Sequence, residues 1–441
     1  MTMTKDQLKA IVCETIASHK GDIKKLADDI WAEPELGYKE IKTAKKVEAA
    51  FSALGVNYRN QLALTGVKAR LKGGKGSKHS IAVIGELDAI ICAEHPEADD
   101  LTGAAHCCGH NAQIANMMAV TIGLVKSGAM QYLAGDVVPF AVPAEEYVEL
   151  AYRNKLIEQG KISYIGGKPE LISLGEFDDI DMAMQIHLTS VKPERDTGFI
   201  EISTTTNGFI GKLINYKGKA SHAAAAPHLG VNALNAAMMG IMGVNAIRET
   251  FQEKDYIRFH PIITQGGDLV NVTPSDVRME SYVRASNVPA MIDANERITR
   301  ALVAGAMSVG AEVEVKDLPG YLPLYNNDTL NHLLQQNAHD LIGEENVWVA
   351  GHMTGSTDTG DLSHIMPVSH PWIGAIRGGL HGKDYVVFDD DMAYIRPAQM
   401  MAMVIIDLLF DDASQADEML ADYTPLMSKE EYLSFIGSFK N

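Results

Sequence analysis

Phe209-Ile210-Gly211-Lys212-Leu213-Ile214-Asn215-Tyr216 reads as a strand, and the elements that follow it decide the fold. Helical periodicity runs over Ala233 to Phe251, and strand character returns at Tyr256 to Thr264 and at Val277 to Arg284. A second helical stretch, Pro289 to Val309, leads to a short strand at Glu312 to Val315. The order strand, helix, strand, strand, helix, strand matches the split βαβ arrangement of a ferredoxin-like domain, placed here at about residues 199–316.

Outside that stretch the pattern is different. From Asp6 to Leu54 apolar residues fall at helical spacing, Leu8, Ile11, Val12 and Ile16 and then Ile23, Leu26 and Ile30, which predicts two helices joined by the turn Glu33-Pro34-Glu35-Leu36-Gly37. Ser80 to Ile84, Val137 to Val142 and Met182 to Ile186 are short apolar runs, and the helical stretch Ala112 to Val125 lies between the first two. Such alternation indicates an α/β layer with a buried sheet. Leu330 to Ile342 and Ala398 to Leu409 read as helices flanking loops rich in Gly and His, so the layer resumes after the ferredoxin-like segment. The predicted organisation is therefore one α/β domain, residues 1–198 and 317–441, interrupted by an inserted α+β domain. There is no internal repeat and no low-complexity tract.

Composition narrows the function classes. A chain of 441 residues, 46% hydrophobic and 22% charged, is ordinary for a globular protein and long enough for two cores. A formal charge of −19 opposes binding to nucleic acid or anionic membranes. Lys5, Lys9 and Glu14 interrupt the N-terminal apolar residues, so a signal-peptide core is not expected, and no run approaches the roughly 18 apolar residues of a membrane span. Four cysteines are too few for a disulfide framework, and Cys107 and Cys108 are sequence neighbours that would pair only with strain. A reducing cytoplasm is the expectation.

Chemistry concentrates in a few places. In His106-Cys107-Cys108-Gly109-His110-Asn111, just before a helix, a thiolate and an imidazole two residues apart can share a metal site. Alone, such a Cys is as a rule an inert buried residue. Pro143-Ala144-Glu145-Glu146 follows the run Val137 to Val142 directly, where loops at strand ends of open α/β sheets gather active sites. Its two carboxylates suit a division of labour between metal binding and proton transfer, although a solvated acidic turn has the same sequence. His187 follows the run Met182 to Ile186, and His381 lies in Gly379-Leu380-His381-Gly382. Each alone fits a structural histidine. Together the four places supply one thiolate, three imidazoles and two carboxylates, enough for two metal ions and a base.

These motifs, in this order, resemble the amidohydrolase branch of the aminoacylase and carboxypeptidase G type metallopeptidases, which includes hippurate, indole-acetyl-amino-acid and aminobenzoyl-glutamate hydrolases. The resemblance runs from Pro34-Glu35-Leu36-Gly37-Tyr38 through Glu86-Leu87-Asp88-Ala89, Cys108-Gly109-His110, Pro143-Ala144-Glu145-Glu146 and Ser221-His222-Ala223-Ala224 to Gly355-Ser356-Thr357-Asp358 and Leu380-His381. It implies a mixed-sheet metallopeptidase catalytic domain whose inserted domain serves for dimerisation and as a lid. It further implies that Cys108, His110, Glu146, His187 and His381 hold two divalent ions, with Asp88 behind them and Glu145 as general base and acid. His222 is expected to polarise the substrate carbonyl, from the partner subunit of a homodimer. Asn271, Arg284 and Ser356 resemble positions that hold the substrate. The thiolate favours Zn²⁺, with Mn²⁺, Co²⁺ or Ni²⁺ as alternatives.

The sequence departs from that branch in three places. Asn111 stands where many relatives have Asp, although the aminobenzoyl-glutamate and related dipeptidase branches resemble this sequence in having Asn. Cys107 replaces a small residue, which leaves open which cysteine is the ligand. The segment from Tyr147 to Asp181 is longer than usual and contains Arg153-Asn154-Lys155 and Gly166-Gly167-Lys168. The expected activity is hydrolysis of the amide of an N-acyl amino acid, an aminobenzoyl-glutamate or a β-alanyl dipeptide, a small substrate with a carboxylate. A non-catalytic binding or assembly subunit of the same fold is the competing reading, and retention of Glu145 with all five candidate ligands speaks against it. A Cys107–Cys108 redox pair lacks the usual Cys-x-x-Cys spacing. No Gly-x-Ser-x-Gly elbow, P-loop or Gly-x-Gly-x-x-Gly is present.

Overall fold

The computed structural model describes residues 3–440. The chain divides into two compact units. The first comprises the chain up to Thr204 with Tyr325–Gly351 and Asp361–Lys429, and the second Thr205–Leu324 with His352–Gly360 and the C-terminal residues from Glu430.

The first unit is built on a six-stranded mixed sheet in the order Tyr58–Leu62, Gly66–Ala69, Gly135–Val142, His79–Glu86, Met182–Met184, Val368–Ser369. Every residue of Gly135–Val142 and all but the first of His79–Glu86 are buried, because the central parallel strands are covered on both faces and so read as unbroken apolar runs. These two strands are parallel and in register from His79 opposite Gly135 to Glu86 opposite Val142. Their C-terminal ends therefore coincide, and Leu87-Asp88 and Pro143-Ala144-Glu145-Glu146 leave the sheet side by side. A second sheet places His187–Ser190 parallel to Trp372–Arg377, which also pairs antiparallel with Phe199–Thr206. Against the first sheet lies the helix His110–Lys126, buried over most of its length, with Lys5–Ser18, Lys20–Trp31 and Arg396–Leu409 around it. Asp390–Leu409 is apolar and long enough to cross a membrane by length and composition, but 89% of its most apolar window is buried. It is a core element of this unit.

The second unit has strands Gly208–Lys217, Asp276–Ala285 and Glu312–Pro319 with two short strands, Arg258–Phe259 and Ile262–Gln265. All pairings are antiparallel, and the order puts Arg258–Phe259 at one edge, then Asp276–Ala285, Gly208–Lys217 and Glu312–Pro319. Ile262–Gln265 extends the first edge. Helices Ala233–Ile247 and Val288–Val309 pack on each other and on this sheet, closing a core of Ile214, Tyr216, Ala236, Val244, Val283, Ile298 and Leu302. This is the ferredoxin-like arrangement expected from the sequence.

Three local expectations are corrected. The N-terminal region holds three helices, Lys5–Ser18, Lys20–Trp31 and Ile41–Ala53, not two. The extra break falls at His19, where the Ser18 hydroxyl and the His19 ring both turn back to the Thr15 carbonyl and compete with the helical ladder. The expected strand Tyr256 to Thr264 is interrupted at His260-Pro261, since proline has no amide hydrogen for the ladder. The run Met182 to Ile186 ends at Met184, and His187 begins a strand in the other sheet.

Candidate metal centre

The loop before helix His110–Lys126 fixes the first donors. Gly109 has φ 90°, and a Cβ there would stand 2.7 Å from the Tyr385 hydroxyl, so this turn requires glycine. Cys108 and His110 are thereby presented from the helix N-terminus, and both are buried. The Cys108 Sγ lies 3.3 Å from His187 Nε2 and 3.3 Å from His381 Nε2. His381 comes from the loop after Trp372–Arg377, with a left-handed backbone (φ 60°) and its amide donating to the Cys107 carbonyl at 2.8 Å. Its Nε2 stands 3.1 Å from Glu146 Oε1.

Three groups of donors each lie within 4.8 Å of one another: Cys108, His110 and His187; Cys108, Glu146 and His381; and Glu86, His110 and Glu145. Cys108 and His110 are shared between groups, so the set forms one continuous cluster able to hold more than one ion. Asp88 lies behind it. His110 Nδ1 donates to the Asp88 carbonyl at 2.8 Å, and Asp88 Oδ2 accepts the Glu146 amide at 2.9 Å. His110 Nε2 is thereby turned inward.

Charge and burial suit a cation. Burial, the neighbouring Glu146 charge adding to it, holds the Cys108 thiol well above the ordinary range. A metal ion would reverse this, since a coordinating thiol is deprotonated outright. His187 is pushed down to about 4 by burial and by the neighbouring His110 charge, so it is the neutral imidazole a metal takes. Burial opposes ionisation of Glu146, but the His381 imidazole, with Nε2 3.1 Å from Oε1, outweighs it and holds the carboxyl below its usual value. The buried His110 Nε2 and Glu146 Oε1 make no hydrogen bond of acceptable geometry, although Glu86 Oε2 and His381 Nε2 are close by. A thiol, three imidazoles and carboxylates converging in one buried cluster fit a zinc-type transition metal ion.

The remaining candidates lie in the second unit. His222 is exposed, and its Nδ1 accepts from the amides of Ala224 and Ala225 at 3.3 and 3.1 Å. Asn271, also exposed, is held beside it through the Ala223 amide, which donates to the Asn271 carbonyl at 2.9 Å. Arg284 lies over the Phe209 and Tyr282 rings, 5.4 and 5.5 Å from their centroids, and donates to Ser356 Oγ at 2.7 Å. Cys107 is not among the clustered donors. It belongs to the apolar core, and burial with the Cys92 thiol beside it pushes its own thiol up to about 12.

Several neighbours of the cluster were given no role from sequence. Glu86, in the quoted Glu86-Leu87-Asp88, places Oε2 3.0 Å from His110 Nε2. Lys168 and Arg153, both fully buried, come from the long segment after Glu146. Their signal was the length of that segment; their burial had none.

A family model described as a peptidase dimerisation domain (M20_dimer) matches residues 204–306. The chain is 27% identical over 422 residues to the Xaa-Arg dipeptidase of Mus musculus, covering 92% of this chain and 90% of that protein. It is 28% identical over 322 residues to a p-aminobenzoyl-glutamate hydrolase subunit of Escherichia coli (strain K12), covering 70% of this chain and 60% of that protein. Among solved structures, the Bacillus subtilis YXEP protein, described as a dinuclear metal binding peptidase from the M20 family, shares the fold with a TM-score of 0.68. There the identity is 21%, over 89% of this chain and 99% of that one.

Proposed function

We propose that this chain, a metal-dependent amide hydrolase similar to M20 peptidases, cleaves the amide bond of a small dipeptide or N-acyl amino acid carrying a free carboxylate. The observation that carries this reading is the convergence of Cys108, His110, Glu146, His187 and His381 beside Glu145. Two divalent ions, zinc by the softness of the thiolate, would supply an activated water near neutral pH and a polarised carbonyl.

The chain's own residues do the rest. Glu145, with Oε2 4.0 Å from His110 Nε2, takes the proton of the attacking water and returns it to the leaving amine. Asp88 holds both His110 and the Glu146 amide, so that the two sides of the cluster keep their spacing. Arg284 is the carboxylate anchor: its guanidinium is fixed by two aromatic rings and by Ser356, and an arginine fork matches a carboxylate. His222 and Asn271 hold the scissile amide, and the inserted domain pairs two copies of the chain. The substrate class takes support from the relatives, an Xaa-Arg dipeptidase and a p-aminobenzoyl-glutamate hydrolase subunit.

The test is metal content of the purified protein together with product identification by mass spectrometry. The panel comprises Xaa-Arg and β-alanyl dipeptides, p-aminobenzoyl-glutamate and N-acyl amino acids. Stoichiometric metal with release of a free amino acid is the expected result. Protein that binds no divalent metal, or that binds it and cleaves nothing in the panel, would leave the reading of a non-catalytic subunit in its place.

A further inference from the structure

Behind the acidic wall of the metal centre lie two cations that never reach solvent. Lys168 is 0% exposed, and its Nζ donates to Glu86 Oε1 at 2.6 Å. Glu86, itself 1% exposed, also accepts from Gln185 Nε2 at 2.6 Å and from Gln113 Nε2 at 2.8 Å. With these three donors in place, its Oε2 is held 3.0 Å from His110 Nε2. Arg153 is likewise 0% exposed. Its guanidinium donates to three carbonyls, Ile165 at 3.0 Å, Ala144 at 3.4 Å and Glu146 at close range.

The backbone at Ala144 needs such support. Ala144 has φ 55°, a left-handed conformation that is strained for a residue with a Cβ. Its amide donates to Glu40 Oε1 at 2.8 Å, and its carbonyl accepts from Arg153 and from the Gly167 amide at 3.1 Å. A Cβ at Gly167 would lie 1.7 Å from the Pro143 carbonyl oxygen, so the long segment is pressed directly against the turn that presents Glu145 and Glu146. Both cations and Gly167 come from Tyr147 to Asp181, the stretch whose length set this sequence apart.

We propose that the segment from Tyr147 to Asp181 is a positioning device for the metal centre, in which Lys168 fixes Glu86 beneath His110 and Arg153 fixes the turn that aims Glu145 and Glu146. A segment that merely covered a sheet edge would put its charges in water. Burying a lysine or an arginine is costly unless it is paired; Lys168 is paired with the Glu86 carboxylate, and Arg153 spends its terminal nitrogens on the carbonyls of the turn while its Nε makes no hydrogen bond. Lys168 and Arg153 are positioning residues, acting through His110 and Glu145.

The inference rests on the metallohydrolase reading, and parent protein measured alongside keeps the two apart: if the parent binds no metal, that reading fails before any variant is considered. The variants are Lys168→Met, the double Lys168→Met/Glu86→Gln, and Arg153→Lys. The double variant removes both buried charges at nearly constant shape and folds where Lys168→Met, leaving the Glu86 charge with only its amide donors, does not. Zinc affinity is measured by chelator competition, and kcat and KM on the substrate the parent cleaves. Loss of Lys168 with Glu86 weakens zinc affinity about 10–100-fold, and raised zinc restores part of the turnover. Arg153→Lys keeps zinc affinity and KM and lowers kcat about 10–100-fold, with no rescue by zinc, because its effect is on the aim of Glu145. Folded variants with the parent's zinc affinity and kcat would overturn the proposal. So would variants whose losses track only the fraction of folded protein, and failure of the double variant and Arg153→Lys to fold would reassign both cations to stability alone.

Discussion

Nε2 of His381 stands 3.1 Å from Oε1 of Glu146, joining the loop after Trp372–Arg377 to the loop after Gly135–Val142. The two residues follow strands in different sheets of the first unit. The pair closes the Cys108, Glu146 and His381 group, one of the candidate sets of metal donors.

Glu145→Gln preserves shape and removes the base. Turnover should fall about 10²–10⁴-fold while KM and metal content stay near the parent's. Steady-state kinetics with metal analysis on the same preparation checks this, and unchanged turnover would remove Glu145 from the mechanism.

Cys108→Ser exchanges a soft donor for a weak one at the residue shared by two of the three donor groups. Zinc affinity should drop by more than about a hundredfold, beyond what the loss of an outer partner costs. Cys107→Ser, in the core and outside the cluster, should retain the metal. Chelator competition separates the two cysteines.

Arg284→Ala removes a guanidinium held between Phe209, Tyr282 and Ser356. Hydrogen bonds to charged groups contribute about 1.5–3 kcal/mol, so KM should rise roughly 10–100-fold with a smaller change in kcat. A substrate amide lacking the free carboxylate should lose this sensitivity; equal sensitivity would mean that Arg284 does not meet the carboxylate.

His370 is buried with both ring nitrogens unpartnered, and burial followed by the neighbouring His187 pushes it down to about 3. The folded value lies below the unfolded one, about 6.5, so the unfolded chain binds the extra proton. The stabilisation is whole above about pH 6.5 and is lost progressively as pH falls toward 3. Urea titrations of chelator-treated protein between pH 7 and 4 should show this dependence, and a foldable His370→Leu variant should lose one proton from the slope. An unchanged slope would place the acid sensitivity elsewhere.

Ile262 is 60% and Ile263 45% exposed on the short strand Ile262–Gln265, which pairs with Asp276–Ala285 along one side. Apolar residues on such an edge invite a second copy of the chain. Ile262→Lys should shift the protein from dimer to monomer in light scattering at micromolar concentration, with the fold intact. A parent that is already monomeric would refute the homodimer.

The ferredoxin-like unit was legible because its strands and helices are long enough for their periods to separate, as in Gly208–Lys217 and Val288–Val309. The parallel pair His79–Glu86 and Gly135–Val142 was legible for the opposite reason, since burial on both faces leaves an unbroken apolar run. The switch of sheets at Gln185 was not, because Met182 to Leu188 is apolar on both sides of it and only tertiary pairing, Gln185 to Ser369 and His187 to Pro371, reveals the change. Motif order pointed to Cys108, His110, Glu146, His187 and His381, which the first unit brings together. Lys168 and Arg153 were invisible in that role. A charged residue in a short helix without clear apolar periodicity reads as solvated, and the partner that buries Lys168 is 82 residues away in sequence.

That distance has a larger counterpart. Cys108 and His381, whose donor atoms are 3.3 Å apart, are separated by 273 residues, and the second unit is threaded through the interval. A ribosome adding roughly 5–20 residues per second has the early ligands in hand well before the last one emerges. At the proposed metal centre, capture would therefore be a late event in the life of the nascent chain, and an ion arriving early would meet only a half-built site with little hold on it.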